Sequence, residues 1–220
     1  MRRTRPAAVL FDMDGLLIDS ERIALASLEH AASELGYEIP AHVAHRLIGL
    51  GRDNGSAVLT HWLGDAFPAS RFWQTWLPDY QRRVALGVPA KPGARQALAA
   101  LAAVGIRCAV ATSTETTLAR HKLEKAGLLP HLAVVIGRDA VQHGKPAPDL
   151  YLHAAEQLGV AATACWAFED SLPGLTAAVA AGARTHWIPD LAQIDAHELP
   201  EGVETVASLH EICRWIEGHG

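Results

Sequence analysis

The chain has 220 residues, half of them apolar and a fifth charged, with a formal net charge of −5. Such a composition belongs to a globular fold, one generous domain or a core with a small insert, and its mild acidity gives no electrostatic footing for nucleic acid or an anionic membrane. Cys108, Cys165 and Cys213 are isolated and form no C-x-x-C pair, which favours buried thiols in a reducing compartment over a disulfide or zinc site. After the basic M-R-R-T-R-P an apolar stretch stops at Asp12, well short of the ~7–15 residues of a signal peptide. No run approaches the ~18 apolar residues of a membrane span. A cytoplasmic location without a membrane partner is therefore expected.

Residues 7–11 form a short apolar run that ends at D-M-D-G, which reads as a buried strand followed by a turn. Over residues 20–36 the apolar positions Ile23, Leu25, Leu28, Ala31, Ala32 and Leu35 recur at helical spacing, and Gly36 suits a C-cap. Helical patterns continue over 42–63 and 69–86, the first broken by Gly49, Gly51 and Gly55. No convincing strand occurs between residues 20 and 86.

Beyond that stretch the pattern alternates. Helices are expected at 92–104, 116–126, 148–158, 171–181 and 209–216, and strands at 106–111, 133–137, 164–168 and 184–188. Strands alternating with helices imply a parallel sheet covered on both faces, an α/β Rossmann-like core. The all-helical stretch then becomes an inserted cap at residues 19–86, inside a core of residues 1–18 and 87–220. In such a sheet ligands bind outside the carboxyl ends of the strands, where Asp12, Thr112 and the pair Glu169-Asp170 fall.

Each of these groups has a plain structural reading and a chemical one. Asp12-Met13-Asp14-Gly15 could be an Asx turn, or two carboxylates that share a cation. A calcium loop fits poorly, because Leu16, Leu17 and Ile18 follow where oxygen ligands would be needed. Glu169-Asp170-Ser171 precedes Pro173 and suits a helix cap, yet a second acidic pair at a second strand end could converge with the first. Ala111-Thr112-Ser113-Thr114 could be a simple N-cap or a phosphate cradle of hydroxyls and backbone N–H groups. Lys145, between Gly144 and Pro146, is held in a stiff loop that could aim one cation, while Pro146 and Pro148 also serve to start a helix.

Taken together, these four stretches resemble the haloacid dehalogenase superfamily of phosphotransferases, in the right order over essentially the whole chain. The cap position, with D-S-E at 19–21, G-K-P-A-P-D at 144–149 and F-E-D-S at 168–171, resembles the branch that includes β-phosphoglucomutases and small sugar phosphatases. The resemblance implies that Asp12 is the nucleophile and forms an aspartyl-phosphate, and that Asp14 is the general acid and base. It implies Mg2+ held by the Asp12 carboxylate, the Asp14 backbone carbonyl and Asp170, with Glu169 supporting it directly or through water. Thr112, Ser113 and Lys145 would bind the transferring phosphoryl group, and the cap would close over the site. Arg52, in L-I-G-L-G-R-D-N, resembles the specificity loop of the cap; as a sequence position it could equally be a solvated helix residue.

Within that branch the chain departs from the mutase pattern. Ile48 stands where mutases usually have Lys, Thr114-Glu115-Thr116 stands where a Ser-(Lys/Arg)-Asn stretch is usual, and Ala24 breaks D-S-E-x-x-H. Glu115 would repel a second phosphate. The expected activity is hydrolysis of a small phosphorylated metabolite, a sugar or polyol monophosphate, with a β-phosphoglucomutase-type reaction as the alternative. A dehalogenase, which has no need of magnesium or of Asp14, and a non-catalytic role are the remaining readings. The protein would act as a monomer or homodimer; Trp62, Trp73 and Trp76 at helical spacing are expected in the cap core.

Overall fold

A computed structural model describes residues 5–47, 52–191 and 194–217. The chain divides into two compact units: Met1–Ile18 with Pro89–Gly220, and Asp19–Val88.

The first unit is built on six strands: β1 (Ala8–Phe11), β2 (Arg107–Ala111), β3 (Val134–Ile136), β4 (Cys165–Glu169), β5 (Arg184–Trp187) and β6 (Glu204–Thr205). Their order is β3-β2-β1-β4-β5-β6, and every neighbouring pair is parallel. β1 and β4 are buried along their whole length, which is why their sequences are continuous apolar runs rather than alternating ones. The helices of this unit are α5 (Ala94–Ala103), α6 (Thr116–Lys125), α7 (Asp149–Gln157), α8 (Leu172–Ala180) and α9 (His210–Glu217). On one face Ala8, Leu10, Ala109, Ala111 and Ala167 pack against Leu150, Tyr151, Ala154 and Ala177 of α7 and α8. On the other face Phe11 stacks on Phe168, which in turn meets His186 and Trp215. The residue-by-residue alternation of strand side chains thus fills both layers of an α/β core.

The two ends of the helical insertion meet inside this unit. Ile18 bridges Ala90 in antiparallel fashion, and the Lys91 backbone N–H donates to the Leu17 carbonyl at 2.9 Å. Lys91 also pairs with Asp190, beyond β5, at 2.5 Å.

The second unit contains α1 (Ser20–Glu34), α2 (Ala41–Leu47), α3 (Arg52–Leu63) and α4 (Ala69–Leu86), and no strand among its described residues. Its core is Leu28, Ala31, Ala32, Leu47, Leu59, Phe67 and Phe72, with Trp73 and Trp76 packed against it. The Trp73 indole N–H donates to Ser56 Oγ at 2.8 Å and that of Trp76 to the Ala24 carbonyl at 3.2 Å. Buried Asp79 of α4 receives Arg82 and Arg83, each at 2.6 Å.

Three expectations change. Gly55 does not break a helix: it lies buried in α3, where a Cβ would come 2.8 Å from the Trp73 ring, so close packing is its reason. Trp62 is not in the core; it is 43% exposed, edge-on to His42 and His61. β6 has no counterpart in the sequence reading, because a two-residue edge strand is too short to show a period. Ile48, Gly49 and Gly51 lie outside the described residues. No described helix is long and apolar enough to cross a membrane.

Candidate active site

The strand order turns around at β1, whose neighbours β2 and β4 flank it. In open α/β sheets the crevice at such a point, beyond the carboxyl ends of the strands, is where ligands bind. Strand pairing carries the side chains there. The Asp12 N–H donates to the Phe168 carbonyl at 3.0 Å, one residue past the last apolar position of β1. Thr112 follows β2 in the same way, its N–H on the Ile136 carbonyl at 3.0 Å. Glu169 ends β4, and Asp170 comes next. Gly15, at φ 85°, makes the left-handed turn that the chain needs directly after Asp14.

Asp12, Glu169 and Asp170 are all buried, and one carboxylate oxygen of each lies within 4.8 Å of the others. Lys145, from the loop before α7, brings its ammonium to Asp12 and, at 2.5 Å, to Glu169 Oε1. Like charges ~4 Å apart repel by about 4 kcal/mol at an effective dielectric of ~20, so three buried carboxylates exceed what one ammonium offsets. The ionisation of Asp12 reflects this. Burial pushes its carboxyl up to about 8; Lys145 opposes the shift, and the charges of Glu169 and Asp14 add to it. For Lys145, burial favours the neutral amine, but the charges of Asp12 and Glu169 outweigh it and hold the ammonium above its ordinary range. A divalent cation suits this donor set: hard oxygen ligands, buried, carrying uncompensated negative charge.

Glu169 is committed elsewhere. Its Oε1 accepts from Lys145 and from the Tyr151 hydroxyl at 2.8 Å. Its Oε2 accepts from the backbone N–H of Asp170 and Ser171 and from Ser171 Oγ, at 3.0, 3.1 and 3.0 Å. A carboxylate offers about four lone-pair sites, and these donors fill them. Gly174 makes room for the arrangement, since a Cβ there would stand 1.7 Å from Glu169 Oε1. The three carboxylates together could hold a metal ion, and Glu169 also fixes the groups around them. The Trp187 indole N–H holds the Asp170 carbonyl at 3.3 Å.

Asp14 is half-buried and turned the other way. Its Oδ2 accepts from Thr114 Oγ1 at 2.7 Å, with Thr112 Oγ1 at 3.5 Å, and its Oδ1 meets Lys122 Nζ at 2.8 Å. Thr112 is buried, and its hydroxyl accepts the Thr114 N–H at 3.1 Å. Ser113 is exposed. Arg52 belongs to the helical unit, exposed as the first residue of α3, where its carbonyl accepts from Ser56 Oγ at 2.8 Å.

The structure thus gathers Asp12, Asp14, Thr112, Lys145, Glu169 and Asp170, gives Thr114 of the expected phosphate cradle to Asp14, and adds two residues that the sequence reading passes over, Lys122 and Tyr151. Both carry a signal. Lys122 falls on the buried stripe of α6 with Ala119 and Leu123, and Tyr151 on that of α7 with Leu150, Ala154 and Ala155. A lysine at an apolar helix position has to find an anion.

A sequence profile of haloacid dehalogenase-like hydrolases matches residues 6–182. A phosphorylated carbohydrates phosphatase of Thermotoga maritima is 31% identical over 175 residues, which cover 80% of this chain and 81% of that one. Hexitol phosphatase A of Escherichia coli is 32% identical over 206 residues, 92% of this chain and 91% of that one. Among solved structures, a HAD family hydrolase from Deinococcus radiodurans R1 with bound phosphate and sodium has a TM-score of 0.81 and 30% identity, covering 94% of this chain and 93% of that chain.

Proposed function

The chain belongs to the haloacid dehalogenase-like hydrolases, and from that premise we propose that it hydrolyses monophosphates of small sugars or polyols through a phosphorylated Asp12. The observation that carries this is the buried cluster itself: Asp12 at a strand end, held by Lys145, beside Glu169 and Asp170. The phosphatase names of two relatives matched over four fifths or more of the chain support the substrate class.

An Asp12 carboxylate oxygen attacks phosphorus, and the ester P–O bond breaks. Asp14 gives its proton to the departing alkoxide. Water then attacks the phosphorus of the acyl phosphate, Asp14 takes up the proton, and the bond to Asp12 breaks to release inorganic phosphate. Lys145 and Thr112 face the phosphoryl oxygens, where charge must be neutralised. Mg2+, which Asp12, Asp170 and the Asp14 carbonyl would hold, supplies positive charge to the phosphoryl oxygens and offsets the carboxylates. Glu169, filled by its own donors, keeps Lys145 and the Asp170 backbone in place.

Hydrolysis is favoured over a mutase reaction by the segment after β2. The Thr114 hydroxyl is spent on Asp14, and Glu115 presents an exposed carboxylate next to it. The test is a phosphate-release screen over phosphorylated metabolites, ranked by kcat/KM, with and without EDTA. Release from sugar or polyol monophosphates that stops on chelation and returns with Mg2+ is the expected result. Activity that survives full chelation would overturn the metal assignment. Glucose 6-phosphate appearing faster than phosphate, from β-glucose 1-phosphate with a trace of the bisphosphate, would overturn the choice of hydrolysis.

A further inference from the structure

We propose that Lys122 is a positioning residue for Asp14: its buried ammonium fixes the carboxylate that handles the leaving-group proton. This rests on the phosphatase reading and adds a residue to it.

The Lys122 side chain is 4% exposed, whereas the Asp14 carboxylate that it meets is 27% exposed. The cation is thus more buried than its anion, which is the reverse of a surface salt bridge. Ala119 and Leu123 flank it on the buried stripe of α6, so a leucine or methionine would suit the helix. Replacing both members of a buried ion pair by apolar groups is often neutral or stabilising, whereas removing one leaves the other charge uncompensated. The fold therefore does not require an ion pair here, although loss of the ammonium alone would leave Asp14 without its cation. What it does is mechanical. Lys122 Nζ holds Asp14 Oδ1 at 2.8 Å while Thr114 Oγ1 holds Oδ2 at 2.7 Å, so both oxygens are gripped and one rotamer is selected. Thr112 stands behind, its hydroxyl 3.5 Å from Oδ2 and bonded to the Thr114 N–H. The stretch from Thr112 to Lys122 thus reaches the phosphoryl group at one end and orients the proton carrier at the other. General acid–base groups contribute ~10²–10⁴-fold when held at the right place, and a loosened carboxylate forfeits part of that.

The test compares Lys122→Met and Lys122→Arg with wild type on two substrates: an alkyl monophosphate and p-nitrophenyl phosphate, whose leaving group departs without a proton. Lys122→Met is expected to lower kcat/KM for the alkyl ester by on the order of 10²-fold, through kcat rather than KM. The loss on the aryl ester should be at least ~10-fold smaller, and Lys122→Arg should recover part of the alkyl rate. In an Asp14→Asn background, Lys122→Met should cost little more on the alkyl ester, because the two act in series. Thr114→Val, which loosens the other oxygen, is expected to show the same alkyl-selective loss and stands in if Lys122→Met does not fold. Equal losses in kcat/KM on both esters, a quantity that reports the phosphorylation step alone, or losses that multiply with Asp14→Asn, would show a merely structural pair and sink the proposal. A wild type that releases phosphate from neither ester overturns the phosphatase reading and this inference with it. An active wild type whose Lys122 variants keep its rates overturns this inference alone.

Discussion

The two units both bury charge, and they do so to opposite ends. In the helical unit the buried carboxylate, Asp79, is met by two guanidiniums of its own helix, three and four residues on. Burial works to raise its pKa, but the hydrogen bonds from Arg83 and Arg82 win and hold it well below the ordinary carboxylate range. In the α/β unit burial raises Asp12, and the charges of Glu169 and Asp14 add to it, so that Lys145 does not bring it back down. One carboxylate is locally neutralised and chemically idle. The other is kept electrostatically unfinished, at the end of a strand, and so is available to a ligand. Burial of a carboxylate is therefore no guide to function until the sign of its surroundings is known.

Substitutions can break that contrast. Asp12→Asn should have the largest effect, a loss of turnover of about 10³-fold or more, while the melting temperature stays level or rises because a repelled charge is removed. Retained turnover on the preferred monophosphate would show that Asp12 is not the nucleophile. Asp79→Asn should do the reverse: kcat holds, and stability falls by about 1–2 kcal/mol, a few degrees in Tm. The pH dependence follows in sign. A carboxyl whose folded pKa lies below its unfolded value stabilises the fold above the unfolded pKa, ~3.9, and that stability is lost as pH falls through it toward the folded value. The Tm gap between wild type and Asp79→Asn should then be constant from about pH 7 to 5 and narrow below about pH 4; a gap indifferent to acid would mean the pairs with Arg82 and Arg83 are not what Asp79 contributes. The smallest effect is expected from Arg52→Ala, a rise in KM for the anionic substrate of about 3- to 10-fold with kcat held, in keeping with one exposed cation. Unchanged KM would remove Arg52 from substrate binding.

Much of this was legible in the residues, and the reasons differ from place to place. β1 and β4 are parallel strands buried on both faces, so they appear as unbroken apolar runs, and the acidic pairs that end them stand out by contrast. Lys145 was marked by the Gly and Pro on either side. Lys122 was hidden because its neighbours Arg120, His121 and Lys125 make α6 look like an ordinary solvated helix; only the 3.6-residue period separates the buried cation from the exposed ones. The load on Glu169 was hidden for another reason. Tyr151 is 18 residues away, and its hydroxyl reaches the carboxylate only because α7 packs over β1, β2 and β3 on one face of the sheet. Trp62 misled because a tryptophan at helical spacing reads as core, whereas here a pair of histidines covers its edge.

The antiparallel bridge between Ile18 and Ala90 also bears on how such a protein can diversify. The chain leaves the sheet and returns to it at neighbouring points, stitched to each other by their own backbone. From the sheet's side the whole of Asp19–Val88 is then a closed loop with its ends already joined, and the entropy of closing a loop grows only slowly with its length. The junction behaves as a socket. Helices can be lengthened, traded or reshaped in the plug without altering the register of β1 against β2 and β4, and so without moving Asp12. The two units can change at separate rates along one continuous polypeptide.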